Sequence, residues 1–211
     1  MTNFFTVLLV FFSIQAFSQE TAIYQDTEKE YQQALDLFTK EKYGAAQKLF
    51  IQVLANGKHL TSEVQSNASY FSARCAAELF NQDAEYLMLD FMEKYPTSTN
   101  YSNALYDLGI YYYRLKKYKS AIEYLAKVDQ TDLTEEKKDE VNFKIGYCYY
   151  MINDYDKASK SFFLMKDGNS KYASAAQYYY AHVAFVNENY ETALKSFLKL
   201  KNSEADRKSV V

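Results

Sequence analysis

Few groups in this sequence could carry covalent or metal chemistry on their own. There are two histidines, His59 and His182, and two cysteines, Cys75 and Cys148. A hydrolytic metal centre would call for His-Glu-x-x-His or paired cysteines, and phosphate transfer for a glycine-rich cradle. None of these motifs occurs. His59 falls in a turn after Gly57 and reads as solvated, while His182 lies in an apolar helical run and reads as packed. Asp and Glu are abundant enough to supply a general acid and base, but none stands at a strained turn or inside an apolar run that would tune it. No catalytic function, cofactor or metal is therefore expected. What remains is aromatic side chains at fixed spacing, whose chemistry is recognition: apolar contact along the ring and hydrogen bonding at its phenolic edge.

The elements that must position those rings repeat. A small residue is followed three positions later by an aromatic or small apolar one, nine on by Tyr, twelve on by Ala and sixteen on by a large apolar residue. Clear copies are Ala34, Leu37, Tyr43, Ala46, Phe50 and Gly109, Tyr112, Tyr118, Ala121, Leu125. Two more are Gly146, Tyr149, Tyr155, Ala158, Phe162 and Ala181, Ala184, Tyr190, Ala193, Phe197. A degenerate copy, Ser72, Cys75, Asn81, Ala84, Met88, lies between the first two. The recurring alanine falls at 46, 84, 121, 158 and 193, spacings of 38, 37, 37 and 35. Such a period marks a solenoid of helical hairpins, in which function belongs to a surface rather than to a cleft.

Composition agrees with an all-α chain. One proline and five glycines in 211 residues leave the repeat interiors nearly free of helix breakers. Basic and acidic residues, 24 against 27, are interleaved, and runs such as Glu135-Glu136-Lys137-Lys138-Asp139-Glu140 suit a solvated helix start. A phosphate-binding face would gather one sign of charge, so nucleic acid is not an expected partner.

Five hairpins are expected over residues 27–201, with repeats at about 27–60, 61–99, 100–134, 135–171 and 172–201. Their first and second helices are placed at Thr27–Lys40 and Tyr43–Ala55, Ser62–Leu79 and Asp83–Lys94, Asn100–Leu115 and Tyr118–Val128. The last two pairs are Glu135–Ile152 with Tyr155–Lys166, and Lys171–Val186 with Tyr190–Leu200. Ser62 and Gln65 form a capping-box pair, and Asn153-Asp154 a turn and cap. Gly109, Gly146 and the recurring alanines let two helices approach closely, and large residues between them interdigitate. The tyrosines nine positions after each small residue start the second helices and close the hairpin ends.

Segments such as Leu108-Gly109-Ile110-Tyr111-Tyr112 with Tyr118-Lys119-Ser120-Ala121, and Ile145-Gly146-Tyr147-Cys148-Tyr149 with Tyr155-Asp156-Lys157-Ala158, resemble the tetratricopeptide-repeat family. The likeness covers about residues 27 to 201. It implies a right-handed α-solenoid of about five helix-turn-helix hairpins that holds peptides or folded partners. Phe91-Met92-Glu93-Lys94-Tyr95-Pro96 and Asn189-Tyr190-Glu191-Thr192-Ala193-Leu194 are similar to the N-terminal part of large exported repeat proteins of the bacterial cell envelope.

In that family the first helix of each repeat lines a concave wall. At 100° per residue, the positions three before, one after and four after the small residue share a stripe away from the second helix. The stripe carries Tyr106, Ile110, Tyr113 in the third repeat, Phe143, Tyr147, Tyr150 in the fourth and Tyr178, His182, Phe185 in the fifth. The first repeat offers Tyr31, Leu35, Phe38, and the second only Ser69, Ala73, Ala76. Two readings stand: a groove that grips an extended segment or helix, or rings buried between neighbouring repeats. The family's basic clamp for a C-terminal carboxylate needs Lys and Asn here, and Ile110, Tyr147 and Tyr106 stand in their place.

Phe4 to Ile14 is an eleven-residue apolar run followed by Ala16-Phe17-Ser18 and polar Gln19-Glu20. That layout predicts a secretory signal peptide over 1–18, a short lead over 19–26, no membrane span after cleavage, and a periplasmic or outer-membrane-associated location. Export would permit a disulfide. Cys75 and Cys148 nevertheless sit two repeats apart, and with about 8–10 Å between packed helices their Cα atoms exceed the ~7 Å limit for a bridge. Both are expected free and buried. Residues 202–211 read as the start of a further repeat or a frayed tail. The apolar Ser209-Val210-Val211 lacks a polar end, which points to a longer array or to self-association through that end. Three functions fit: an adaptor that binds protein or peptide through the aromatic wall, a structural spacer in a longer repeat protein, or a glycan-binding accessory module with tyrosines as sugar platforms.

Overall fold

A computed structural model of the chain describes residues 27–56 and 60–209. The expected signal segment and lead, the 57–59 turn with His59, and Val210 and Val211 lie outside the described residues. Among the described residues there are ten α-helices and no strand. They form two compact units, residues 1–104 and 105–211.

The first unit contains α1 (27–39), α2 (Tyr43–Asn56), α3 (Ser62–Glu78) and α4 (Ala84–Lys94). Its core gathers Tyr31, Ala34, Ala46, Phe50, Val53 and Cys75. Phe50 stacks on Phe71 at 5.7 Å, and Phe38 meets Phe71 edge-on at 5.0 Å. The cap of α3 is Thr61, not Ser62: the Thr61 hydroxyl accepts from the Val64 N–H, and Gln65 Nε2 donates to the Leu60 carbonyl. The expected box does not form: Thr61 keeps the extended backbone a cap requires, and the residue three after it, Val64, has no side-chain group to return the bond. Where the second repeat departs from the pattern, Asn81 donates to Gln47 Oε1 at 3.1 Å. A polar bond replaces the ring contact made by the usual tyrosine. Ala73 and Ala76 are buried, so two of this repeat's three expected wall positions are core.

Helix α5 (Tyr101–Arg114) begins in the first unit and runs into the second, which continues with α6 (Tyr118–Leu125), α7 (Glu135–Met151), α8 (Tyr155–Met165), α9 (Ala173–Val186) and α10 (Tyr190–Ser209). Ala158, Phe162, Met165, Ala176 and Val183 make a core cluster. Helix α7 starts as its charge pattern suggests. Thr134 accepts from the Lys137 N–H, and Glu135 and Glu136 occupy the first turn, where the helix dipole favours anions. Asp154 caps α8. Helix α6 stops at Leu125 rather than Val128, before the tight turn Gln130–Asp132, where Asp129 accepts from Thr131. Helix α10 runs on through 202–209, beyond the Leu200 end expected for the second helix of the fifth hairpin.

All five hairpins turn in the same way. Glu41, Phe80, Lys116, Asn153 and Glu188 have φ between 55° and 62°. Around each, two backbone N–H groups close the preceding helix, as when Glu41 donates to Phe38 and Lys42 to Leu37. This is the Schellman arrangement. It survives in the degenerate second repeat, where Phe80 and Asn81 donate to Ala77 and Ala76.

The small positions do the work assigned to them. A Cβ on Gly109 would lie 2.6 Å from the Leu125 side chain and 3.2 Å from its backbone nitrogen, and one on Gly146 would lie 2.9 Å from Ser161 Cβ. Gly109→Ala should therefore be destabilising by up to about 2 kcal/mol. Overpacking costs about 1–3 kcal/mol, and the gain in helix propensity returns only about 1 kcal/mol. Chemical denaturation of the pair of proteins checks this, and a stabilised variant would contradict the close approach.

Candidate functional site

The wall stripe of the second unit is built from the first helices of three hairpins. Tyr106, Ile110 and Tyr113 come from α5, Phe143, Tyr147 and Tyr150 from α7, and Tyr178, His182 and Phe185 from α9. Seven of the nine are half-buried, while Tyr178 and Phe185 are exposed, at 45% and 56%. The rings touch from one hairpin to the next: Tyr113 and Tyr147 at 5.7 Å, Tyr150 and His182 at 5.5 Å. The same rings also close their own hairpins. Tyr113 meets Tyr118 edge-on, as Phe185 meets Tyr190, and Tyr150 packs against Tyr155. Tyr113, Tyr150 and Phe185 therefore each have a stacking role as well as a partly open face.

The ring at the centre of the stack lies off the expected stripe. Tyr179 packs on Tyr150 at 5.1 Å, Tyr147 at 5.3 Å, Phe162 at 5.4 Å and Phe143 at 6.2 Å. It stands two residues before its hairpin's small residue, Ala181. Lys144, two before Gly146, occupies the same place one hairpin earlier, with its ammonium 4.2 Å above the Tyr113 ring. Register would have found this position, but its residue type changes from Lys to Tyr, so a search for recurring classes passes over it.

Polar groups punctuate the wall. Tyr106 donates to Glu140 Oε2 at 2.9 Å, Lys144 pairs with Glu140 at 3.5 Å, and Lys137 lies 5.2 Å over the Tyr106 ring. Burial pushes the Tyr106 hydroxyl well above the ordinary tyrosine range, and the Glu140 charge adds to the shift. Burial does the same to Tyr113. His182 Nδ1 is 3.2 Å from Tyr150 Oη, the packed role expected of it. Cys75 and Cys148 are free and buried, and burial pushes both thiols up to about 12. They are neutral core atoms rather than nucleophiles. No group of three or more potential metal ligands occurs among the described residues, and none of their helices is long and apolar enough to cross a membrane.

The tetratricopeptide-repeat profile matches residues 103–130 and 140–162, which fall on the third and fourth hairpins. These two hairpins are tetratricopeptide repeats. Solved structures share its fold over most of its length. MamA (AMB-1) superposes with a TM-score of 0.68 at 16% identity, covering 85% of this chain and 92% of that one. A MamA RS-1 double mutant gives 0.68 at 15%, covering 87% and 97%. A Podosopora anserina kinesin light chain protein of nearly identical TPR-like repeats gives 0.63 at 16%, covering 85% and 95%. At these identities the likeness is one of fold. No curated protein matches the sequence. The wall therefore belongs to a repeat architecture whose stacked units present extended binding surfaces.

Proposed function

We propose that this tetratricopeptide-repeat protein is an exported scaffold of the cell envelope, binding a protein or peptide along the aromatic wall of its 105–211 unit. The observation that carries the reading is the open face left on a continuous series of rings, Tyr113 to Tyr147 and Tyr150 to His182, edged by the Glu140–Lys144 pair. Partly open rings suit a partner that offers apolar side chains. Lys144 and Lys137 supply cation–π and ion-pair contacts at the rim. Export is supported by the apolar run Phe4–Ile14 and the small residues that follow it.

The test pairs two measurements on Tyr113→Ala, Tyr147→Ala and Tyr150→Ala: melting temperature, and capture of protein from an envelope extract. Half-buried rings should lose less stability than the about 3–5 kcal/mol of a fully buried one, while capture falls by about tenfold or more. Unaltered capture by all three variants would leave these rings as stacking core only. N-terminal sequencing of the protein recovered from fractionated cells tests export: a start just after Ser18 in the periplasmic fraction is expected, and an intact N-terminus in the cytosol would remove that part of the reading.

A further inference from the structure

We infer that a cavity on the fourth hairpin is a binding site for a single aliphatic cation, the side chain of a lysine or arginine carried by a partner polypeptide. This rests on the reading of the chain as a protein-binding scaffold and adds a second contact to it, away from the aromatic wall.

The cavity has a volume of about 320 Å³ and lies between the first half of α7, the end of α8 and the turn that follows. That is the small end of the about 300–1,000 Å³ range for ligand pockets, room for one side chain rather than for a large ligand. From α7 it takes Asp139, Asn142 and Ile145, spaced by three residues and so on one face. That face is turned roughly 100° around the helix from the one bearing Phe143, Tyr147 and Tyr150. Residue size opens the space. Fifteen positions after the small residue, the first three hairpins carry Leu49, Leu87 and Tyr124, and Tyr124 stacks on Tyr112 at 5.5 Å. The fourth carries Ser161 there, which lines the cavity instead of filling it.

The lining chemistry selects the ligand. Asp139 is the only charged residue of the lining, and it is half-buried. Among the described residues no hydrogen bond or ion pair reaches its carboxylate. The neighbouring lysines are committed elsewhere: Lys138 pairs with Glu135, Lys144 with Glu140 and Lys171 with Glu136. The helix dipole does not need Asp139 either, since Glu135 and Glu136 already fill the first turn. Ser161 gives its proton to the Lys157 carbonyl, so what it has left to offer is an acceptor. Ile145, Met165 and Leu164, the last 83% exposed, are apolar. A cationic head can pair with Asp139 while its methylene stem lies along Leu164. One free carboxylate sets the charge at one. The fifth hairpin provides a contrast within the same chain. It has Ser174 in place of Asp139 and Lys199 in place of Leu164, and Lys166 and Lys199 edge its cavity of about 190 Å³. The carboxylate there, Asp167, is held by both lysines, so a cation finds no partner.

The probes are N-acetyl-lysine methylamide and N-acetyl-arginine methylamide, titrated into the isotope-labelled full chain and followed by amide NMR shifts. N-acetyl-norleucine methylamide is the neutral control. Saturable shifts are expected at residues 139–145 and 161–170, with norleucine binding at least about fivefold more weakly. Asp139→Asn should weaken both cationic probes by a similar factor with the melting temperature unchanged, because the carboxylate has no partner to lose. Ser161→Tyr, which restores the third hairpin's residue, should remove binding by filling the space. Absence of saturable binding, norleucine binding as tightly as lysine, or cationic binding indifferent to Asp139→Asn overturns the inference. So do shifts centred on the fifth hairpin. Putrescine binding more tightly than the lysine probe would make the ligand a free diamine and overturn its assignment to a side chain. Tyr113→Ala and Tyr147→Ala separate this site from the wall: they should reduce envelope-protein capture and leave probe binding intact. Reduced capture without any probe binding would sink the cavity alone, and probe binding with unaltered capture the wall alone.

Discussion

Phe162→Ala is expected to destabilise the second unit by about 3–5 kcal/mol, the range for truncating a fully buried ring. Phe162 has no exposed surface. It stacks on Tyr179 at 5.4 Å and packs against Phe143 at 5.9 Å. It also fills the space that Gly146 leaves open, since a Cβ there would come within 3.1 Å of the ring. Removing the ring opens a cavity between α7, α8 and α9 that rigid helices collapse into poorly. Repeat proteins couple mainly through nearest neighbours, so the loss should appear first as faster amide exchange in α7 to α9. Against a total stability of about 5–15 kcal/mol, a change of this size is large. Urea unfolding with exchange mass spectrometry measures both quantities. A loss below about 1 kcal/mol would mean that the ring is not the keystone of the α7–α9 packing.

Alkaline unfolding should be steep and tyrosine-driven. The chain has 22 tyrosines. Burial raises the hydroxyls of Tyr31, Tyr43, Tyr106, Tyr113, Tyr118, Tyr150, Tyr172 and Tyr179 above their ordinary value of 10.0. Burial likewise lifts both thiols from 9.0 to about 12. All of these groups are neutral when protonated, so the fold binds protons that the unfolded chain releases. Their contribution to stability is fully present below about pH 9 and is lost as pH climbs through the raised folded values. Stability in urea is expected to be insensitive to pH from 7 to 9 and to fall progressively above it. Tyrosinate absorbance should then rise together with the loss of helical circular dichroism. Gradual tyrosinate formation with the helices intact would mean that these hydroxyls are more exposed than their packing indicates.

The parts of the fold legible in the sequence are those fixed by residue size at a repeating position. Gly109 and Gly146 announce close helix approach because nothing larger fits against Leu125 and Ser161. The tyrosines at 43, 118, 155 and 190 each open a second helix as their spacing suggests. The ends of α6 and α10 were not legible, because local turn chemistry at Asp129 and a polar helical continuation past Leu200 carry no repeat signal. The candidate wall was legible as a stripe but not in its degree of burial. How much of each ring is covered depends on the residue two before the next hairpin's small position, and that residue is Lys144 in one case and Tyr179 in another. Covering is a long-range contact, and no periodicity within one helix reports it.

Five left-handed turns recur along the array, and only Asn153 among them is a residue that tolerates that backbone easily. At Glu41, Phe80, Lys116 and Glu188 an ordinary L-residue holds a conformation that disfavours it by about 1–2 kcal/mol, offset in part by the chain entropy glycine would bring. These four hinges lie far apart along the chain, so relaxing them by glycine should act nearly independently. The array therefore holds an unused reserve of thermal tolerance in its backbone alone. Sequence drift or an engineer can release it one turn at a time, leaving every ring of the 105–211 stack as it is, and the working temperature of the protein becomes adjustable separately from that face.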